Sequence, residues 1–124
     1  NKRKLILLSN PCNPTGITRK EDELKELIEE SEEIGNGILF DEAYEFFHTP
    51  PISSLQFIND INNSNVFVSG AATKGLQAPG IRIGWVVAAK KYIEILEFNN
   101  ISVTVRRSRG EDINAACGQL ANKI

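Results

Sequence analysis

Apolar positions along the chain alternate between short continuous runs and longer stretches with helical spacing. Lys4-Leu5-Ile6-Leu7-Leu8 is a continuous run of the kind found in parallel strands covered on both faces. It stops at Ser9-Asn10-Pro11-Cys12-Asn13-Pro14-Thr15-Gly16, where two prolines and a glycine impose a rigid, non-helical loop. Thr18 with Glu21 has the spacing of a capping box, and Leu24, Leu27, Ile28 and Ile34 then recur on one helical face. Gly35 or Gly37 ends that helix. Ile38-Leu39-Phe40 predicts a second buried strand, closed by Asp41-Glu42-Ala43-Tyr44. After a Pro50-Pro51 loop, a short helix is predicted from about Ser53 to Asp60. Val66-Phe67-Val68 predicts a third strand, Ile81 to Val87 a fourth, and Lys90 to Phe98 a helix with Tyr92, Ile95 and Leu96 on one stripe.

The resulting order is strand, helix, strand, helix, strand, strand, helix. Such alternation predicts an α/β fold, three layers α/β/α, with a mainly parallel sheet. The link between the third and fourth strands is too short for a helical crossover, so the fourth strand is expected to be antiparallel. Beyond Asn99 the pattern is hard to read, and a helix is one reading of Ile113 to Ile124.

Bulk properties narrow the function. The 124 residues allow one domain, 41% of them apolar and 24% charged, with a net charge of -2. That balance favours neither nucleic acid nor an anionic membrane as partner. No apolar run approaches the ~20 residues of a membrane span. The basic N-terminus lacks the long apolar region of a signal peptide. Cys12 and Cys117 form neither a CxxC pair nor a disulfide framework, which fits two reduced thiols in the cytoplasm, and no metal ligands are expected. The absence of methionine, even at position 1, suggests an excerpt of a longer protein or a processed product.

Chemistry is concentrated where the strands end, the edge at which open α/β sheets bind ligands. Asn13 follows the first strand, Asp41 and Tyr44 the second, and Lys74 the third, while Arg82 lies early in the fourth. An aromatic aldehyde cofactor with a phosphate needs a lysine for an imine and a carboxylate for its ring nitrogen. It also needs donors for its phenolic oxygen and a cation for its phosphate. Pyridoxal phosphate is the cofactor with those requirements. Lys74 would give the imine, Asp41 would keep the ring nitrogen protonated, Asn13 and Tyr44 would bond the phenolic oxygen, and Arg82 would hold the phosphate.

Four segments resemble the class I and II aminotransferases of the fold type I superfamily. They are Asn10 to Gly16, Asp41 to Tyr44, Ser69-Gly-Ala-Ala-Thr-Lys-Gly75 and Pro79-Gly-Ile-Arg-Ile-Gly-Trp85, and the likeness covers roughly residues 4 to 98. The resemblance implies that Lys74 is the Schiff-base lysine, Asp41 the ring-nitrogen partner, Arg82 a phosphate ligand, and Asn13 and Tyr44 the phenolate donors. It also implies that residues 1-124 are part of the large cofactor-binding domain of a homodimeric enzyme. The N-terminal phosphate loop and the C-terminal small domain with its substrate arginine lie outside this chain, so the chain alone is expected to be inactive. One departure stands out. The family's usual serine or threonine three residues before the lysine is Ala71 here, with Ser69 and Thr73 as the nearby hydroxyls.

Transfer of an amino group between an amino acid and a 2-oxo acid is the activity the resemblance implies first. A lyase on the same scaffold, performing β-elimination or decarboxylation, shares all four segments. A non-catalytic regulatory domain is a third class. Its loop usually departs from the Asn10-to-Gly16 pattern kept here. His48 is expected in an exposed loop, Trp85 in the core, and Arg106 to Arg109 in a solvated turn.

Overall fold

The computed structural model of the chain describes residues 2-102, so the expected helix at 113-124, the Arg106 to Arg109 turn and Cys117 lie outside the described residues. Four strands form one sheet in the order β1 (Leu5–Ser9), β2 (Gly37–Asp41), β3 (Val66–Ala71), β4 (Gly84–Val87). The first three run parallel, and β4 lies antiparallel to β3. The register places Ser9, Asp41 and Ser69 side by side at the carboxyl ends of the parallel strands.

Helix α1 (Glu21–Ile34) connects β1 to β2. Its first turn carries Glu21, Asp22 and Glu23, which complement the positive end of the helix dipole. The cap lies at Lys20, whose backbone N–H donates to the Glu23 carboxylate at 3.0 Å, and not at Thr18. The reason is upstream. The Asn10 side-chain oxygen accepts the Arg19 N–H at 2.7 Å and ties the residue before the cap to the loop after β1. At the other end Gly35 adopts φ 74°, and its N–H and that of Asn36 bond back to Glu32 and Ser31.

Leu24 and Ile28 of α1 pack on Ile38, Phe40, Val66 and Val68, the buried core. Each such side chain contributes about 1.5–3 kcal/mol on burial. On the opposite face Phe67 meets Tyr92 of α3 (Lys90–Phe98), with ring centroids 4.7 Å apart. The sheet therefore carries helices on both sides, as the alternation of elements predicts.

Four expectations are corrected in these elements. In place of a helix over residues 53-60 there is one 3-10 turn, Ser54–Phe57, followed after a break by another at Ile61–Asn63, because Ser53 and Asp60 side chains capture the N–H groups of Leu55 and Asn62. The fourth strand begins at Gly84, three residues late, and just before it the Ile83 carbonyl accepts the Ala72 N–H. Trp85 is not core. It is 39% exposed, with its indole laid over Gly70, where a Cβ would collide with the ring. In β1, Leu5 and Leu7 are 64% and 71% exposed, since β1 is the edge strand and no described residue covers that face.

Candidate active site

Three loops leave the aligned strand ends: Asn10 to Gly16 after β1, Glu42 to Phe47 after β2, and α2 (Ala72–Gly75) directly after β3. The first is shaped by its own backbone, with the Cys12 N–H bonded to the Ile17 carbonyl and the Gly16 N–H to the Cys12 carbonyl. Asn10, fully buried, pins it to Arg19. Asn13 is thereby presented outward, and its amide donates to the Tyr44 hydroxyl at 3.2 Å.

The second loop turns tightly after β2. One carboxylate oxygen of Asp41 accepts the Ala43 N–H at 3.1 Å, and the Glu45 N–H donates to the Glu42 carbonyl at 3.0 Å. The turn aims the Tyr44 ring at the third loop, where the Lys74 ammonium lies 5.8 Å from the ring centroid. Phe47 braces Tyr44 edge-on at 5.6 Å. Asn13, Tyr44 and Lys74, from three different strand ends, thus meet, while Asp41 stands half-buried at the base of the same turn.

Arg82 is exposed and lies outside β4, in the extended segment before it. The bond from the Ala72 N–H to the Ile83 carbonyl, at 3.0 Å, keeps that segment beside the lysine turn. Of the two nearby hydroxyls, Ser69 is turned to the Phe40 carbonyl at 3.5 Å, and Thr73 stands next to Lys74 on α2.

A cavity of about 470 Å³ opens between the first two loops, lined by Asn13, Thr18, Tyr44, Phe47 and His48 among others. His48 is half-buried rather than exposed, its ring nitrogen 2.7 Å from the Pro50 carbonyl. Another cavity, of about 520 Å³, lies between α1 and residues 56-63 and touches none of the site residues.

Two features escape the reading of the sequence. Glu42 is buried, and its carboxylate accepts from Ser53 and Ser54. Phe46 packs against Gly75, so closely that a Cβ there would overlap the ring. The pair joins the Tyr44 turn to the Lys74 turn, and the glycine directly after the lysine is the one sign of it. Glu45 is held above the ordinary carboxylate range, first by desolvation and then by the neighbouring Glu42 charge.

The donor set has the make-up that pyridoxal phosphate requires: an accessible amine, a carboxylate with one oxygen unused by the turn, a paired amide and phenol, and an arginine on the segment beside the lysine turn. The sequence profile of the family described as "Aminotransferase class I and II" matches residues 1-117. The chain belongs to that family. Pyridoxal phosphate is the cofactor this membership implies, and the solved relatives include enzymes dependent on it.

A probable aspartate/prephenate aminotransferase of Aquifex aeolicus is 33% identical over 107 residues, which cover 83% of this chain and 27% of that protein. The crystal structure of a PLP-dependent aminotransferase from Streptococcus suis superposes with a TM-score of 0.66 at 34% identity, over 78% of this chain and 25% of that one. A short, steep likeness also exists to a probable dual-specificity RNA methyltransferase of Christiangramia forsetii. It is 66% identical over 38 residues, 31% of this chain and 11% of that protein. The chain spans about a quarter of the length of the aminotransferases it matches.

Proposed function

We propose that this chain is the central part of the large domain of a pyridoxal-phosphate-dependent aminotransferase, with Lys74 as the covalent anchor of the cofactor. The observation that carries this reading is the meeting of three strand ends: the Asn13 amide on the Tyr44 hydroxyl at 3.2 Å, and the Lys74 ammonium 5.8 Å from the same tyrosine ring. The Lys74 ammonium faces the Tyr44 ring whose hydroxyl accepts from Asn13, so an amine, a phenol and an amide share one place.

Lys74 would hold the cofactor through its Nζ, and that amine, once free, would act as the general base at the substrate α-carbon. Asp41 holds a proton on the ring nitrogen through the oxygen that the turn leaves free. Asn13 and Tyr44 donate to the phenolic oxygen. Arg82, with Thr73, supports the phosphate where Ala71 offers no hydroxyl. When bound, the cofactor supplies an electron sink for the pair left on the substrate carbon.

The substrates are an amino acid and a 2-oxo acid. The full-length enzyme is expected to work as a homodimer in the cytoplasm. The Asn13-Pro14-Thr15-Gly16 form of the loop favours transfer over elimination or decarboxylation. The test is to incubate full-length protein, wild type and Lys74→Ala, with cofactor, a panel of amino acids and 2-oxoglutarate. Glutamate formed by wild type and absent from Lys74→Ala supports transfer. Release of pyruvate, ammonia or carbon dioxide without glutamate replaces it with a lyase.

A further inference from the structure

Glu42 is the most deeply buried ionisable side chain of the described residues, 2% exposed, and none of the steps above uses it. It directly follows Asp41 but reaches elsewhere. One carboxylate oxygen accepts both the N–H and the hydroxyl of Ser54, at 2.7 and 2.6 Å, and the other accepts the Ser53 hydroxyl at 2.7 Å. No cation among the described residues pairs with it; the ion pairs there are Lys25–Glu29 and Lys90–Glu94. A buried charge held by neutral donors depends wholly on them. Loss of either side leaves polar groups stranded in a dry place.

Its backbone is fixed as firmly. The Glu42 N–H donates to the Ser69 carbonyl at 2.8 Å, tying the end of β2 to the strand that leads to Lys74. Its carbonyl accepts from Glu45 and closes the turn that carries Tyr44. One residue thus joins β3, the Tyr44 turn and the Ser53-Ser54 loop. That loop cannot drift, because Leu55 and Phe57 beyond it pack on the core.

We infer that Glu42 is a positioning residue of the cofactor site: its carboxylate, clamped by Ser53 and Ser54, holds the turn from Asp41 to Tyr44 at its place beside Lys74. The inference rests on the reading of Lys74 as the cofactor's anchor. It makes a hydrogen-bonded side chain that touches no reacting atom a determinant of cofactor affinity. It also explains why two serines stand at that point of the 50–57 loop.

The test uses the full-length protein and measures pyridoxal phosphate binding and the absorbance spectrum of the bound cofactor, beside thermal stability. Glu42→Ala is expected to raise Kd by roughly tenfold or more, the scale on which losing an outer support loosens a bound group, and to alter the spectrum. Glu42→Gln keeps the shape and can still accept from Ser54, so it should return Kd to within about threefold of wild type. Ile28→Val trims the core away from the site. It should lower the melting temperature yet leave Kd within about twofold, as expected of distant, uncoupled positions. If wild type binds the cofactor at Lys74 and Glu42→Ala leaves Kd and spectrum unchanged, the positioning role is overturned while the function stands. The role is overturned equally if Ile28→Val loosens the cofactor as much as Glu42→Ala does. If wild type itself takes up no cofactor at Lys74, both readings fall.

Discussion

At the end of β2 the Asp41 carboxylate splits its duties: one oxygen closes the turn on the Ala43 N–H at 3.1 Å, and the other has no partner among the described residues. Asparagine at this position keeps an acceptor for the turn but cannot hold a positive ring nitrogen by charge. Asp41→Asn is therefore expected to leave the melting temperature of the full-length protein unchanged while turnover falls by about 10²–10³, the usual scale for a lost preorganised charge. Turnover that survives would reduce Asp41 to a turn former. Glu45 gives a prediction in pH. Its folded-state affinity for a proton is raised by desolvation and by Glu42, so its ionised form opposes folding above that raised value, and the penalty is relieved as pH falls toward the unfolded value of 4.5. Glu45→Gln should raise the melting temperature at pH 7 and have no effect below pH 4, as read by thermal scans at both. Asn13, Asp41, Tyr44 and Lys74 were legible as strand-end residues, and so as candidates, because each follows an apolar strand. Glu42 was not, since its partners come eleven and twelve residues later, across a loop.

At the scale of elements, the periodic segments were readable and their ends were not. Helix α1 and the three parallel strands follow from apolar spacing alone. The cap of α1 moved from Thr18 to Lys20 because Asn10, distant in sequence, fixes the entry. The helix expected from Ser53 to Asp60 broke because local side-chain bonds compete with helical ones. The β3–β4 pair shows how packing decides a residue that the pattern assigned to the core. Trp85 lies over Gly70, and a methyl group at Gly70 would sit inside the indole. Gly70→Ala is expected to cost about 1–3 kcal/mol through overpacking and to loosen the hairpin that leads to Lys74. Chemical denaturation measures the cost, and an unchanged midpoint would mean that the exposed indole simply swings away.

For the whole molecule, the sheet face beside β1 matters most. Leu5 and Leu7 stand largely exposed, and Arg82 is the only guanidinium of the site segments. The 124-residue chain alone is expected to form no glutamate from amino acids and 2-oxoglutarate beyond the rate of free pyridoxal phosphate, and to associate through its exposed edge and apolar face. Turnover above that background would show a fuller site than these loops provide. The most direct measurement concerns Lys74 itself. Full-length protein purified with its yellow colour is reduced with borohydride, digested and mapped by mass spectrometry. The pyridoxyl group is expected on the peptide that contains Lys74. Label on Lys90, Lys91 or another lysine, or no label at all, would contradict the assignment of this site.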